Sequence, residues 1–181
     1  MNAMTTETTR LQLRYLTDRA EIADLLDRYL RSLDEGRFDE SWARAFHTED
    51  VTAEMPIGTV RGRNALLDHV RRGMALFDRT VHLGTNAVIE IDGDRATARG
   101  AQLSTHVLAD GSGGSGGSGR TGGSGGSRRT GGSGEVFVSA GHVDHELVRT
   151  ADGWRIAASS LRIVWTQGTP PRLPAGLGPA D

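Results

Sequence analysis

The first third of the chain carries apolar residues at helical spacing. Six of them follow the pattern i, i+3, i+4, i+7, i+8 and i+11: Ile22, Leu25, Leu26, Tyr29, Leu30 and Leu33. This spacing predicts a helix with one apolar face, and Gly36 is expected to end it because glycine is common just after a helix. Asp39 can cap a short second helix that carries Trp42 and Phe46. Residues 64–77 repeat the apolar stripe and predict a third helix.

The second half of the chain alternates between apolar and polar residues, which is the period of a β-strand. Long strands are predicted over residues 81–91, 95–108, 135–149 and 154–165, with a short one over 51–55. Asp92-Gly93-Asp94 is typical of a hairpin turn. Helices followed by a meander of antiparallel strands predict an α+β domain, in which the helices pack on an antiparallel sheet.

Three segments are expected to lie outside this domain, which spans residues 16–168. Residues 1–15 are polar and predict a flexible tail, and residues 169–181 form a tail rich in proline and glycine. Residues 111–134 contain only glycine, serine, threonine and arginine, so we expect a flexible insertion over 110–134 between two strands. A flap that offers its arginines to an anionic ligand is the alternative for this insertion.

Composition narrows the classes of function. The formal net charge is −2, so a nucleic-acid partner is not expected. The sequence contains no cysteine and no apolar run long enough to span a bilayer, and its N-terminus does not resemble a signal peptide. A cytoplasmic protein without a membrane partner is therefore predicted.

Several residues able to transfer protons fall on faces that the pattern predicts to be inner ones. Tyr29 lies on the apolar stripe, and Asp34 lies near the edge of that stripe. His82 opens the first long strand, and Asn86 would share its face if the strand is regular. On the next strand, alternation groups Gln102, Ser104 and His106 with Ala96 and Ala98, whose small side chains suit packing against helices. Each of these residues could also be an ordinary core or surface residue.

The strand over 135–149 leaves two alternatives open. His142 and Asp144 share one of its faces, whereas His145 and Arg149 share the other. We favour His142 and Asp144 for the pocket. No pair of histidines has the i, i+4 spacing of a helical zinc site, so no metal and no cofactor are predicted.

Four stretches of the sequence together resemble a known family. They are LDRYLRSLDEGRFDESWARAF, GRNALLDHV, VHLGTNAVIEIDGDRATARGA and GHVDHELVRTADGWRIAASSLRIVW. Their order and spacing are similar to those of SnoaL-like proteins in the nuclear-transport-factor-2-like (NTF2-like) superfamily, over about residues 16–168 without the insertion. The resemblance implies a cone in which three N-terminal helices and a curved antiparallel sheet enclose a pocket.

Within that superfamily, the sequence most resembles the scytalone-dehydratase-like and bile-acid-dehydratase-like branch. Those enzymes are similar in having a tyrosine and an acid on the first helix, a histidine at the start of the central hairpin, and a histidine or aspartate on the following strand. This sequence offers Tyr29, Asp34, His82 and His106 at those places. It departs from them in the insertion and in Ser159 and Ser160, where many relatives have arginine.

The resemblance implies a cofactor-free acid/base enzyme. His82 and His106 would be the acid/base pair, Asp34 would orient His82, and Tyr29 would polarise a substrate oxygen. Candidate substrate-binding residues are Trp42, Met55, Phe77, Asn86, Gln102, Ser104, His142, Asp144 and Trp165. The first choice is a dehydratase of a small polyketide- or steroid-like hydroxy-carbonyl compound, acting as a homodimer or homotrimer. The alternatives are a polyketide cyclase, an isomerase or a non-catalytic module that binds a small ligand.

Overall fold

The computed structural model describes residues 3–109 and 134–178, which form three helices and six strands. All but the last residue of the predicted insertion at 110–134 lies outside the described residues. In chain order the elements are α1 (Ala3–Glu35), α2 (Glu40–Phe46), β1 (His47–Met55), β2 (Gly58–Arg61), α3 (Arg63–Met74), β3 (Phe77–Asp92), β4 (Arg95–Leu108), β5 (Val136–Thr150) and β6 (Gly153–Gln167). None of the described helices is long and apolar enough to cross a membrane.

The strands form one curved, unclosed sheet in the order β2-β1-β6-β5-β4-β3. Strands β3 to β6 are the predicted antiparallel meander. Strand β1 pairs with β6 in parallel, however, so the sheet is mixed rather than wholly antiparallel. This pairing places β1 and β2 at one edge and leaves β3 at the other.

Helix α1 crosses the inner face of the sheet with the predicted apolar stripe buried against it. Ile22, Leu25 and Tyr29 are at most 8% exposed. The helix begins at Ala3, so residues 3–15 are helical, and the prediction of a tail there is wrong as to secondary structure. Their side chains are exposed where described, because this part of the helix extends beyond the core. Asp39 caps α2 as predicted, and its carboxylate accepts a hydrogen bond from the Trp42 backbone N–H.

Register shifts on β3 and β6 help to decide which side chains of the sheet face inward. On β3 the register shifts between Thr85 and Val88, and Asn86 adopts a left-handed φ of 58°. On β6 the register shifts between Ile156 and Ala158, opposite Leu147 and Glu146 of β5. It shifts again between Ile163 and Trp165. Each extra residue moves the following side chains to the other face of the sheet.

The outer face of the sheet carries an apolar row across four strands. Leu83, Leu103, Ala140 and Trp165 are successive cross-strand partners, and Trp165 is 46% exposed. An exposed apolar surface of this kind is typical of an interaction site. The homodimer or homotrimer suggested by the resemblance remains a prediction.

The C-terminal segment does not lie outside the folded domain as predicted. The backbone N–H of Gly178 donates to the Ile57 carbonyl, and the Arg72 side chain donates to the Ala175 carbonyl. Leu177 is 6% exposed. Residues 169–178 therefore lie against the β1–β2 turn, which offers the Ile57 carbonyl as an acceptor, and against α3, which offers the Arg72 side chain as a donor.

Candidate active site

A cavity of about 420 Å³ lies between the helices and the inner face of the sheet. This volume falls in the range of small-molecule sites. Its lining from the sheet includes the inward side chains of β3 to β6, and α1 and α3 cover the opposite side. Pro56 and Ile57 of the β1–β2 turn and Pro170, Pro171 and Leu173 of the C-terminal segment also line it.

The cavity lining carries no aspartate, glutamate, lysine or arginine among the described residues. Its polar groups are four histidines, one tyrosine and a few serine, threonine and glutamine side chains. Nor do residues 3–109 and 134–178 include three or more His, Asp or Glu side chains grouped to hold a metal ion. The lining therefore suits an uncharged, largely apolar molecule with a few oxygen atoms.

Asp34 and His82 form a hydrogen-bonded pair at the wall of the cavity. His82 Nδ1 lies 2.7 Å from Asp34 Oδ1, and the His82 backbone N–H donates to Asp34 Oδ2 at 3.1 Å. The Thr80 hydroxyl also donates to Oδ1, at 2.8 Å. Burial raises the pKa of Asp34, but these hydrogen bonds outweigh it and hold the pKa below its ordinary value. The carboxylate is thus ionised and fixed on three sides.

This pairing leaves one nitrogen of His82 for a ligand. Asp34 is not part of the cavity lining, whereas His82 is, and the His82 side chain is only 5% exposed. A carboxylate on Nδ1 favours the tautomer with its proton there, so Nε2 carries the lone pair. His82 is accordingly oriented as a proton acceptor toward the cavity.

His106 lies beside His82 in the same cavity, with ring centroids 5.2 Å apart. Its ring packs between Phe77 and Phe137, with centroids 4.2 and 6.1 Å away. Burial, with a smaller contribution from His82, lowers the pKa of His106 to about 4. His106 is therefore neutral at physiological pH and can donate or accept a hydrogen bond, but it is not an imidazolium.

Tyr29 lines the base of the cavity, where the polar lining meets the dry core. It is 8% exposed, and burial raises its pKa to about 12. Across the sheet, His145 is paired with Ala98 and Ser159, and it lies next to Tyr29 with ring centroids 6.4 Å apart. His145 and Ser159 both line the cavity, as does Ser139 near the start of β5.

The structure brings some of the predicted substrate-binding residues to the cavity and not others. Met55, Phe77, Gln102 and Ser104 line it. His142 and Asp144 are exposed on the outer face, since β5 alternates regularly with Val143 and His145 inward. The preference for His142 and Asp144 is therefore wrong.

Three further predicted residues are absent from the cavity lining. The bulge on β3 leaves Asn86 exposed, and the bulge near the end of β6 puts Thr166 inward in place of Trp165. Trp42 belongs to the core behind Tyr29, where its indole N–H donates to the Ser32 hydroxyl. None of these positions could be assigned without the bulges and the packing of α2.

The C-terminal segment gives a first testable prediction, because it forms part of the cavity wall and is held in part by one buried leucine. Leu177→Ala should weaken binding of an apolar probe such as 2-naphthol roughly tenfold, since burying a leucine contributes about 1.5–3 kcal/mol. Titration calorimetry measures the affinity, and Val164→Ala, at a site 61% exposed on β6, is the control. Equal affinities for both variants would show that the segment does not close the cavity.

The sequence matches the family profile described as "SnoaL-like domain" over residues 14–160. The chain belongs to this SnoaL-like family. The resemblance to SnoaL-like proteins is thereby confirmed, and the fold is that of the NTF2-like superfamily. No curated protein is similar enough to this SnoaL-like domain to count as a match.

Solved structures support the same assignment of fold. Kfla4162 from Kribbella flavida is 27% identical, with a TM-score of 0.68 over 84% of this chain and 95% of that one. A scytalone dehydratase candidate from Novosphingobium aromaticivorans is 20% identical, with a TM-score of 0.64 over 94% and 97%. The hexachlorocyclohexane dehydrochlorinase LinA-type3 from Novosphingobium barchaimii is 21% identical, with a TM-score of 0.66 over 92% and 97%. At 20% and 21% identity, the last two show the fold and not the activity.

Proposed function

We propose that this SnoaL-like domain is a cofactor-free acid/base lyase, and that it dehydrates a small, uncharged hydroxy-carbonyl compound. The observation that carries the proposal is the Asp34–His82 pair, which presents one basic imidazole nitrogen to a cavity without charged side chains among its described residues. Two structural neighbours are named for eliminations, a dehydratase candidate and a dehydrochlorinase, which is consistent with this reaction class.

The first step is proton abstraction by His82. Its Nε2 takes a proton from the carbon next to the substrate carbonyl, and the C–H electron pair moves into an enolate. Asp34 keeps the ring in the required tautomer and stabilises the imidazolium that forms. General base catalysis of this kind contributes typically about 10²–10⁴-fold, with positioning adding to it.

The second step is departure of the hydroxyl group on the adjacent carbon. The enolate electrons form the carbon–carbon double bond as the C–O bond breaks, and the His82 imidazolium returns its proton to the leaving oxygen. The products are an unsaturated carbonyl compound and water, and His82 is regenerated. One histidine thus serves both steps.

His106 takes a different part from the one first predicted. A histidine whose pKa is about 4 is almost entirely neutral near pH 7, so it is a poor proton donor to a leaving group. Packed beside Phe77 and Phe137, with a hydrogen bond to the Phe137 backbone, it can instead accept a hydrogen bond from a hydroxyl group beside His82 through its other ring nitrogen. We assign it to holding that hydroxyl group during the elimination.

A screen of cyclic β-hydroxy ketones tests the proposal. The rise of conjugated-enone absorbance measures dehydration, with wild type and His82→Ala compared at equal concentration and with folding checked by circular dichroism. We expect turnover by wild type and its loss in His82→Ala. Turnover retained by a folded His82→Ala variant would refute the assignment of the base.

The alternatives predict different products from the same screen. An isomerase or cyclase would also begin with proton abstraction by His82, but its product would keep the mass of the substrate on mass spectrometry. A non-catalytic module would bind the compounds and return them unchanged. Loss of one water per molecule is the result that distinguishes a dehydratase.

A further inference from the structure

Tyr29 and His145 form a polar pair at the base of the cavity that the proposed elimination does not use. The tyrosine ring is surrounded by four aromatic rings: Trp42, Phe46, His47 and His145, with centroids 6.2, 5.5, 5.3 and 6.4 Å away. Such packing fixes the position of the phenol. Because Tyr29 lines the cavity, its hydroxyl group is held at one place in the cavity wall.

The hydroxyl of Tyr29 forms no hydrogen bond with residues 3–109 and 134–178, whereas the Tyr29 backbone carbonyl accepts one from the Ser32 hydroxyl. The pKa of the Tyr29 hydroxyl is raised to about 12 by burial, so it keeps its proton at neutral pH and can donate. Buried phenol hydroxyls usually have a partner. A ligand oxygen in the cavity would supply one.

His145 has a similar orphaned group. The residue is 7% exposed, and its Nδ1 is buried without a hydrogen-bond partner among the described residues. Burial lowers its pKa to about 4, which leaves a neutral ring with one donor and one acceptor at neutral pH. Two uncharged polar side chains therefore meet at the base of a largely apolar cavity, next to Ser159, and each has a polar group that no protein hydrogen bond occupies among the described residues.

This pair is separated from the reacting end of the cavity. On α1, Tyr29 precedes Asp34 by five residues, which corresponds to a rise of about 7.5 Å along the helix. On the sheet, His82 pairs with Ser104 and thereby with Ser139, six residues before His145 on β5. The separation along α1 is close to the length of a fused bicyclic molecule.

We infer that Tyr29 and His145 form a second binding site for one uncharged oxygen of the substrate, remote from the carbon at which His82 acts. The substrate class is then an uncharged, largely apolar molecule with oxygen atoms at opposite ends. Tyr29 becomes a specificity-determining residue, instead of the group that polarises the reacting carbonyl. The inference rests on the proposed function only for what happens at the His82 end.

Binding of two naphthols tests this second site without turnover. 2,6-Dihydroxynaphthalene carries an oxygen at each end, whereas 2-naphthol carries one. Titration calorimetry with the full chain should give wild type about a fivefold preference for the diol, the effect of one net hydrogen bond. In Tyr29→Phe and in His145→Leu the two naphthols should bind with about equal affinity. His145→Gln should restore part of the preference for the diol.

The chain offers matched controls for both variants. Tyr15→Phe changes a tyrosine that is 45% exposed on the same helix, and His142→Leu changes an exposed histidine on the same strand. Both should keep the preference of wild type. A wild type that does not distinguish the two naphthols, or a preference retained in Tyr29→Phe and His145→Leu, would overturn the inference. Either result is independent of His82, so the elimination mechanism is judged separately by the enone screen.

Discussion

Replacing Asp34 with asparagine is expected to lower kcat about 10²- to 10⁴-fold while changing KM little. The reason is the tautomer of His82. An asparagine amide can donate to Nδ1, which moves the ring proton to Nε2 and removes the lone pair that faces the cavity. The charge that stabilises the imidazolium is lost as well. Steady-state kinetics on the dehydration substrate measures both parameters.

Two further variants separate this effect from a general loss of structure. Asp27→Asn removes an exposed carboxylate from the same helix and should leave kcat unchanged. Thr80→Val keeps the Asp34 carboxylate but removes one of its hydrogen bonds, so its effect should be only severalfold. If the Asp34→Asn variant has the kcat of wild type, the hydrogen bond to Asp34 is not what makes His82 the catalytic base.

Acid is expected to unfold this protein at a mildly low pH. Burial lowers the pKa values of His47, His106 and His145 from 6.5 to about 4. Between these values the unfolded chain binds protons that the folded chain does not. The contribution of these histidines to the free energy of unfolding is therefore fully present above pH 6.5, and it is lost as the pH drops toward 4. Each histidine contributes up to about 1.4 kcal/mol per pH unit, so the three together approach roughly 4 kcal/mol per unit.

Urea denaturation at several pH values between 7.5 and 4.5 measures this slope. His47→Gln and His145→Gln should each reduce it by about one third, whatever their effect on stability at pH 7.5. His142→Gln, at an exposed position on the outer face, should leave it unchanged. Stability that is constant from pH 6.5 to 5 would mean that these rings are protonated without cost in the folded protein.

The sequence was informative where one element carried a regular pattern. The stripe from Ile22 to Leu33 predicted the buried face of α1, and it buries Ile22, Leu25 and Tyr29. On β4, alternation from the small residues Ala96 and Ala98 correctly predicted that Gln102, Ser104 and His106 face inward, because this strand has no bulge between them. Periodicity alone suffices when the backbone stays regular.

One error could have been avoided from the sequence. On β5, His142, Asp144 and the solvent-exposed Glu146 share one face of the strand. Val143, His145 and Leu147 share the other. The apolar Val143 and Leu147 indicated the inner face. His142 and Asp144 were favoured because their side chains can take part in acid/base chemistry, although alternation with Val143 and Leu147 placed them on the outer face.

The remaining features of the site were decided by contacts between distant parts of the chain. Bulges on β3 and β6 arise from pairing with neighbouring strands, and they turned Asn86 and Trp165 away from the cavity. Contacts with α3 and the β1–β2 turn brought a segment rich in proline into the cavity wall. The sequence by itself determined the helical stripe, the meander and the inward face of β4, because side-chain periodicity is a local property. The pairing of Asp34 with His82, 48 residues apart, was implied by the family resemblance, but only the tertiary structure gave its geometry and placed His145 beside Tyr29 at one cavity, because burial and strand register depend on the whole sheet.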